Sequence, residues 1–312
     1  MRENFFANKI DRSLEKKRHK GETYLRKSEE IIKEKSPAER INEEDFKDVY
    51  GEEEIKVDLE KISRMEEKHK DNQESNEFGK RYADVLETVI TDAGEKNNWF
   101  GPDIKINRAS KFDDYFNGTD LIFELGSPDN LLAVDLTYSK GWGEVSQKIR
   151  NVKETIDSEK LIDIKYFQSK TDNKKENKNK IPKVVVALSF EELTKIARLW
   201  SAESAPISEK AKEAHRKMLD ESSVQVEILQ QVISQLEVFI NYSEQNNKEE
   251  LVEKFSKILE KFKELSHSEK AEKINKKLIA KGLISENEDY KLGRTRELDS
   301  HLEREFFLGK AA

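Results

Sequence analysis

Apolar segments of extended type are confined to one stretch of this chain, and that restricts the fold more than any other feature. Four such segments lie at 103–109, 118–126, 131–139 and 182–189, and the last is β-branched, as is typical of a buried strand. Only SPDN separates the second from the third, and this run is typical of a tight turn. The two segments are therefore expected to form a β-hairpin.

Helical periodicity alternates with these strands. A helix that ends at Gly94 precedes them, and a second runs from about Gly143 with an apolar stripe of Val145, Ile149, Val152 and Ile156. Ser189 and Glu192 form a capping box at the start of a third. The order helix, strand, strand, strand, helix, strand, helix predicts an α/β domain with a mixed sheet over 76–204.

The flanking regions are predicted to be helical. Apolar residues make up only 35% of the chain, and 1–75 has too few for a core, so we expect a charged helical or partly disordered arm. Residues 205–312 show no strand pattern. Two apolar repeats around NYSEQNNKE predict an antiparallel helical hairpin, and a third helix is expected to end at Gly282. These C-terminal helices are candidates for contacts in a homo-oligomer or with a protein partner.

Two regions are locally basic, although the whole chain has a net charge of −7. Residues 8–35 hold ten Lys or Arg against six acids, and 165–183 hold seven lysines against two. The piece 168–181 within the second region has so few apolar residues that we expect a flexible, exposed loop. Because nucleic-acid affinity depends on local phosphate contacts, both regions are candidate contacts for DNA. The alternative for 8–35 is a merely solvated arm.

Several classes of site are excluded by composition. The chain has no cysteine, which excludes disulfides, thiolate catalysis and cysteine-based zinc or iron–sulfur sites. The five histidines are isolated and offer no metal-binding spacing. No apolar run reaches the roughly 18 residues that cross a bilayer, and a signal-peptide core is lacking, so a cytoplasmic protein without a membrane partner is expected.

Two acidic residues stand within the predicted hairpin. Residues two apart in a strand share a face, so Asp120 lies on the face of Ile122 and Asp135 on the face of Thr137. Asp135 interrupts an apolar strand, where a carboxylate is costly unless it is hydrogen-bonded, paired or bound to a cation. Two such carboxylates with a carbonyl suit Mg²⁺ or Mn²⁺. The alternative is that both acids lie at strand ends in solvent.

An acid after a turn, a hairpin, an acid within an apolar strand and a following helix together resemble the PD-(D/E)XK nuclease superfamily. The resemblance covers roughly 77–198 and implies a mixed-sheet, restriction-endonuclease-like core of order α-β-β-β-α-β. It implies a Mg²⁺-dependent (or Mn²⁺-dependent) site at the edge of the hairpin that hydrolyses phosphodiester bonds of DNA or RNA. Asp120 matches the first motif acid and Asp135 the second, with the carbonyl of Leu136 as a further metal ligand.

Two residues depart from that superfamily's pattern. Thr119 stands where proline is frequent, and Thr137, whose hydroxyl lies on the right face, stands where the catalytic lysine is expected. Lys148 lies about 70–80° from the centre of its helix's apolar stripe, so it can lean towards the carboxylates as a replacement. Lys140, in the loop after the strand, is the second candidate. The alternative for both is an ordinary surface lysine.

The superfamily's first helix usually supplies a glutamate near the metal. Glu87 is the best match in this chain and Asp84 the second, although Glu87 lies roughly 120° from the centre of the apolar stripe. The resemblance therefore implies Glu87 as a further catalytic and metal-binding residue.

The function expected from these residues is a metal-dependent nuclease, with Lys148 or Lys140 stabilising the charge of the transition state. A catalytically inactive nuclease-fold module for nucleic-acid binding or assembly is the main alternative, and Thr137 favours it. A helical scaffold or interaction protein is the third, favoured by the long charged helices at both ends.

Overall fold

A mixed four-stranded sheet forms the centre of the protein. The structure, a computed structural model, describes residues 2–35, 39–71, 77–138, 142–281 and 293–308. The strands are β1 (Ile104–Arg108), β2 (Leu121–Leu125), β3 (Leu131–Tyr138), β4 (Ile162–Gln168), β5 (Lys175–Ile181) and β6 (Lys183–Leu188). The sheet has the order β1-β2-β3-β6, antiparallel except for the parallel pair β3 and β6. The predicted α/β class with a mixed sheet is confirmed.

Helices surround this sheet. Their bounds are α1 (Arg2–Lys35), α2 (Lys47–Tyr50), α3 (Glu52–Asp71), α4 (Glu77–Lys96), α5 (Lys111–Asn117), α6 (Trp142–Asp157), α7 (Phe190–Ser201), α8 (Glu209–Asp220), α9 (Ser223–Gln245), α10 (Glu249–Ser266), α11 (Glu269–Ala280) and α12 (Gly293–Glu303). The predicted order of α4, β1, β2, β3, α6, β6 and α7 is confirmed, with α5 and the β4–β5 pair as additions.

The hairpin of β2 and β3 is buried on both faces. Phe123 and Val134 belong to the larger core, whereas Ile122 and Ala133 face a smaller core formed with the β4–β5 pair. Leu121 pairs with Val134, so the residues just outside this pair, Asp120 and Asp135, lie across from each other. Because side chains alternate along a strand, both acids share the face of the smaller core, as the sequence predicted.

The expectation of a flexible loop at 168–181 is wrong for 175–181, which form β5, whereas 169–174 connect two strands and 171–174 are exposed, as expected. β4 and β5 pair as an antiparallel two-stranded sheet, which we call the ribbon. Its residues Phe167 and Ile181 are buried in the smaller core. A lysine-rich strand can form here because its partner strand supplies the backbone bonds and the apolar contacts, while its own polar side chains face solvent. Lys180 illustrates this, since its side chain is more than half exposed and pairs with Glu250.

The flanking helices pack on the central domain. α1 lies on α7, with Leu25 and Ile31 buried in the larger core and the Ser28 hydroxyl donating to the carbonyl of Ala197. α9 and α10 form the predicted helical hairpin, and α11 ends at Ala280, two residues before the predicted stop at Gly282, which lies outside the described residues. Within the described ranges, every helix is too short or too polar to cross a membrane.

Candidate metal centre

Three carboxylates converge at the end of the hairpin. One oxygen each from Glu87, Asp114 and Asp120 lies within 4.8 Å of the other two. Glu87 comes from α4, Asp114 from α5 and Asp120 from the segment that enters β2. Hard carboxylate oxygens at this spacing are the donor set that Mg²⁺ or Mn²⁺ prefers, so the residues present fit such an ion.

The turn after α5 places Asp120. Gly118 ends the helix in the left-handed conformation (φ 59°), and its N–H donates to the carbonyls of Asp113 and Asp114. Two residues later, Oδ2 of Asp120 accepts a hydrogen bond of 2.6 Å from the Leu136 N–H across the hairpin. Burial, followed by the nearby carboxylates of Glu87 and Asp135, raises the pKa of Asp120 well above its usual value.

Asp135 faces two lysines. The Lys148 ammonium lies 2.5 Å from its Oδ1, and the Lys183 ammonium, from β6, donates to the Asn117 carbonyl at 3.1 Å. A Cβ on Gly118 would lie 3.3 Å from Lys183 Nζ and 3.7 Å from Asp135 Oδ2, so a larger residue would crowd both charges. Burial raises the pKa of Asp135, although Lys148 opposes the shift.

The two lysines respond to this surrounding in opposite ways. Burial would lower the pKa of Lys148, but the carboxylates of Asp135 and Asp120 outweigh it and raise that pKa above its ordinary value. For Lys183, burial and the nearby Lys148 charge lower the pKa despite the attraction of Asp135. Lys148 is therefore held as a cation by its carboxylate partner, whereas Lys183 forms no ion pair among the described residues.

Two arginines neutralise the other side of the cluster. Arg40 binds Glu87 and, at 2.8 Å, Asp114. Arg108 lies 3.0 Å from Glu87 and 2.6 Å from Asp84, and its other amino group donates to the Thr88 hydroxyl. Burial raises the pKa of Glu87, and the two guanidinium groups oppose that shift.

The site thus contains residues that the sequence analysis singled out together with residues that it missed. Asp120, Asp135, Lys148 and Glu87 come together here, and Thr137 is buried two residues beyond Asp135. The Leu136 carbonyl, expected to be a metal ligand, lies 3.5 Å from the Lys148 ammonium. Lys140 lies outside the described residues.

Asp114, Arg40, Arg108 and Lys183 were missed. Asp114 sits in a seven-residue helix between two predicted strands, and its pattern KFDDYFN looks like a polar connection. Ser110 followed by two acids was the available signal, because it is an N-cap with acids in the first turn. Arg40 lies 74 residues before Asp114, and no spacing rule joins two residues so distant in sequence.

Comparisons with protein-family models, with curated proteins and with solved structures give no match to this chain. The indications of function therefore lie in the site. Its chemistry is a carboxylate cluster for a hard divalent cation, bordered by lysine and arginine groups that can bind an anion.

Proposed function

We propose that the protein is a metal-dependent nuclease of the PD-(D/E)XK type, with a restriction-endonuclease-like core, that hydrolyses phosphodiester bonds of DNA or RNA. The observation that carries this proposal is the convergence of Glu87, Asp114 and Asp120 beside the pair of Asp135 and Lys148. A carboxylate cluster alone would suit many cations, but an adjoining ammonium that is fixed on a buried carboxylate suits a site where negative charge accumulates.

Each residue has a distinct role in this proposal. Glu87, Asp114 and Asp120 hold Mg²⁺ or Mn²⁺, with Asp135 as a neighbouring carboxylate. When bound, the ion supplies Lewis acidity towards the phosphate and an acidified water. Thr137 occupies the position of the motif lysine, and Lys148 replaces that lysine. Its ammonium stabilises the charge that develops on the phosphate oxygens. Its short contact with Asp135 holds the ammonium in position.

The ribbon offers contacts for the nucleic-acid backbone. Lys174 and Lys180 are more than half exposed, and their partners are the acids Glu176 and Glu250. Exposed ion pairs contribute only about 0–1 kcal/mol, so these lysines can exchange their partners for phosphates at little cost. The basic part of α1 is the second candidate surface, as the sequence analysis expected.

The direct test measures metal binding and cleavage in the same variants. Mn²⁺ should raise the melting temperature of the wild type, and Asp120→Asn should abolish most of that rise because it removes a charged ligand. Asp103→Asn, which alters an exposed acid in the loop before β1, is the matched control and should behave as the wild type. Cleavage of labelled single- and double-stranded DNA and RNA should follow the same pattern.

The alternative of an inactive nucleic-acid-binding module keeps one specific observation in its favour. Glu87 and Asp114 already have guanidinium partners, so the cluster is neutralised without a metal. If the wild type binds nucleic acid but shows neither a Mn²⁺-induced rise in melting temperature nor cleavage, the protein is this inactive module and the nuclease proposal fails.

A further inference from the structure

Arg40 occupies an unusual place in the carboxylate cluster. Its two terminal amino groups bind different carboxylates, Glu87 through Nη2 and Asp114 through Nη1, and both belong to the three that converge at the site. Its side chain is 19% exposed, so Arg40 is mostly buried but still accessible to solvent. A cation therefore already bridges two of the three candidate metal ligands.

The backbone around Arg40 is anchored to the central domain. Arg40 forms a parallel bridge with Arg108 on the free edge of β1, and the Ile41 N–H donates to the Arg108 carbonyl at 3.1 Å. Nearby, the buried Glu43 accepts a hydrogen bond of 2.9 Å from the Phe112 N–H. The guanidinium can thus change partners through its side chain while its backbone stays beside the site.

Arg108 differs from Arg40 in this respect. Arg108 also binds Glu87, but it has Asp84 and Thr88 as additional partners and its side chain is only 6% exposed. If Glu87 turned towards another cation, Arg108 would keep those two partners. Arg40, in contrast, would lose both of its ion-pair partners together, because Glu87 and Asp114 belong to the same cluster.

We propose that Arg40 is the phosphate-binding group of the site: it neutralises Glu87 and Asp114 in the metal-free protein and turns to a substrate phosphate when these carboxylates take up a divalent ion. This inference rests on the proposed function. A partly buried guanidinium without an anion is costly, and its planar fork matches two oxygens of a phosphate. By linkage, Arg40 and the ion weaken each other's hold on the carboxylates by the same factor.

The first test needs no substrate. Arg40→Gln removes the competing cation at similar size, so Mn²⁺ affinity measured by calorimetric titration should increase, by about fivefold or more. Lys111→Gln is the matched control. It removes one positive charge from α5 whose ion-pair partner, Glu66 of α3, is not one of the three clustered carboxylates, so the Mn²⁺ affinity should stay at the wild-type value. An affinity that is unchanged or weaker in Arg40→Gln would overturn the competition.

The second test uses Ca²⁺ as a metal probe and a fluorescent DNA duplex, read by anisotropy. Arg40→Gln should weaken binding by about tenfold when Ca²⁺ is present and by much less in EDTA, because Arg40 is then bound to its carboxylates. Arg40→Lys keeps the charge but loses the fork, so it should retain near wild-type Mn²⁺ affinity and still bind DNA less well. Equal losses with and without Ca²⁺ would overturn the phosphate role.

The two tests separate this inference from the nuclease proposal. If the wild type cleaves nothing but Arg40→Gln gives the metal-dependent loss of DNA binding, the role of Arg40 stands and the catalytic proposal fails. If the wild type cleaves and Arg40→Gln cleaves equally well at saturating Mn²⁺, the catalytic proposal stands and the role of Arg40 fails.

Discussion

At the scale of single residues, the site is a balance of buried charges. Four carboxylates and four cations lie within it: Glu87, Asp114, Asp120 and Asp135 against Arg40, Arg108, Lys148 and Lys183. Buried charges persist only when they are paired or hydrogen-bonded. Asp120 differs from the other three acids: within the described residues it forms no ion pair, and a backbone N–H donates its hydrogen bond.

The raised pKa of Asp120 predicts how metal-free stability depends on pH. Below about pH 3.9, the ordinary pKa of an aspartate, the group is protonated in both the folded and the unfolded chain. As the pH rises above that value, the unfolded chain loses the proton more readily, so folding is progressively disfavoured until the pH passes the folded pKa. The contribution of Asp120 to stability is thus present in acid and lost towards neutral pH.

Asp120→Asn should remove this dependence. In EDTA the variant should melt a few degrees above the wild type near pH 7.5, and the gap should close as the pH falls towards 4, because Asn can still accept the Leu136 hydrogen bond but never ionises. Differential scanning calorimetry at several pH values, with Asp103→Asn as control, measures the gap. A variant less stable than the wild type near pH 7.5, by a gap that closes towards pH 4, would show instead that the Asp120 charge stabilises the metal-free fold.

At the scale of elements, the sequence predicts the strands that are buried and apolar, but not the strand that depends on pairing with a neighbour. β3 and β6 are evident because their sequences are mainly apolar, with three consecutive valines in Lys183–Leu188, as is typical of strands in a buried sheet. The ribbon was missed because the polarity of Lys175–Ile181 is that of a loop, while its strand character comes from pairing with β4. The site follows the same rule, since Asp120 and Asp135 share a hairpin but Arg40 arrives through tertiary contacts.

The helices show the same limit. Glu87 was predicted to lie away from the apolar stripe of its helix, yet it is buried, because α4 is covered by β1, by α1 and by α7 rather than on one face alone. Lys153 lies outside the apolar stripe of α6, yet it pairs with Asp157 and its ammonium lies 4.8 Å from the ring centre of Tyr242 on α9. The spacing of apolar residues predicts which face of a helix packs on the sheet, but it does not predict which other elements cover the remaining faces.

If the ribbon is part of the folded core, its residues should differ sharply in their effect on stability. Phe167→Ala should cost about 3–5 kcal/mol because Phe167 is fully buried in the smaller core, together with Ile122 and Ile164. Lys174→Ala, at an exposed position in the connection between β4 and β5, should change stability by about 0.5 kcal/mol or less. Urea unfolding of both variants tests this, and similar small changes in both would mean that the ribbon is not part of the folded core.

At the scale of the whole molecule, the C-terminal helices complete the central sheet. β6 is an edge strand, and edge strands leave backbone groups without partners. Two glutamines of α9 supply the missing partners. Gln235 accepts a hydrogen bond from the Val185 N–H and donates one to the Val185 carbonyl, and Gln231 makes the same pair of bonds with Ala187. Both side chains are fully buried, so these bonds have no water to replace them.

This arrangement predicts that one helical glutamine controls the edge of the sheet. Gln235→Met keeps the volume but leaves the N–H and carbonyl of Val185 buried without partners, at a cost of about 1–3 kcal/mol for each group. Gln245→Met, at an exposed position of the same helix, is the matched control and should be nearly neutral. Urea unfolding measures the loss, and hydrogen exchange should be faster at the Val185 amide in Gln235→Met alone. Equal stability and equal Val185 exchange in the two variants would mean that α9 only covers the edge and does not hydrogen-bond it.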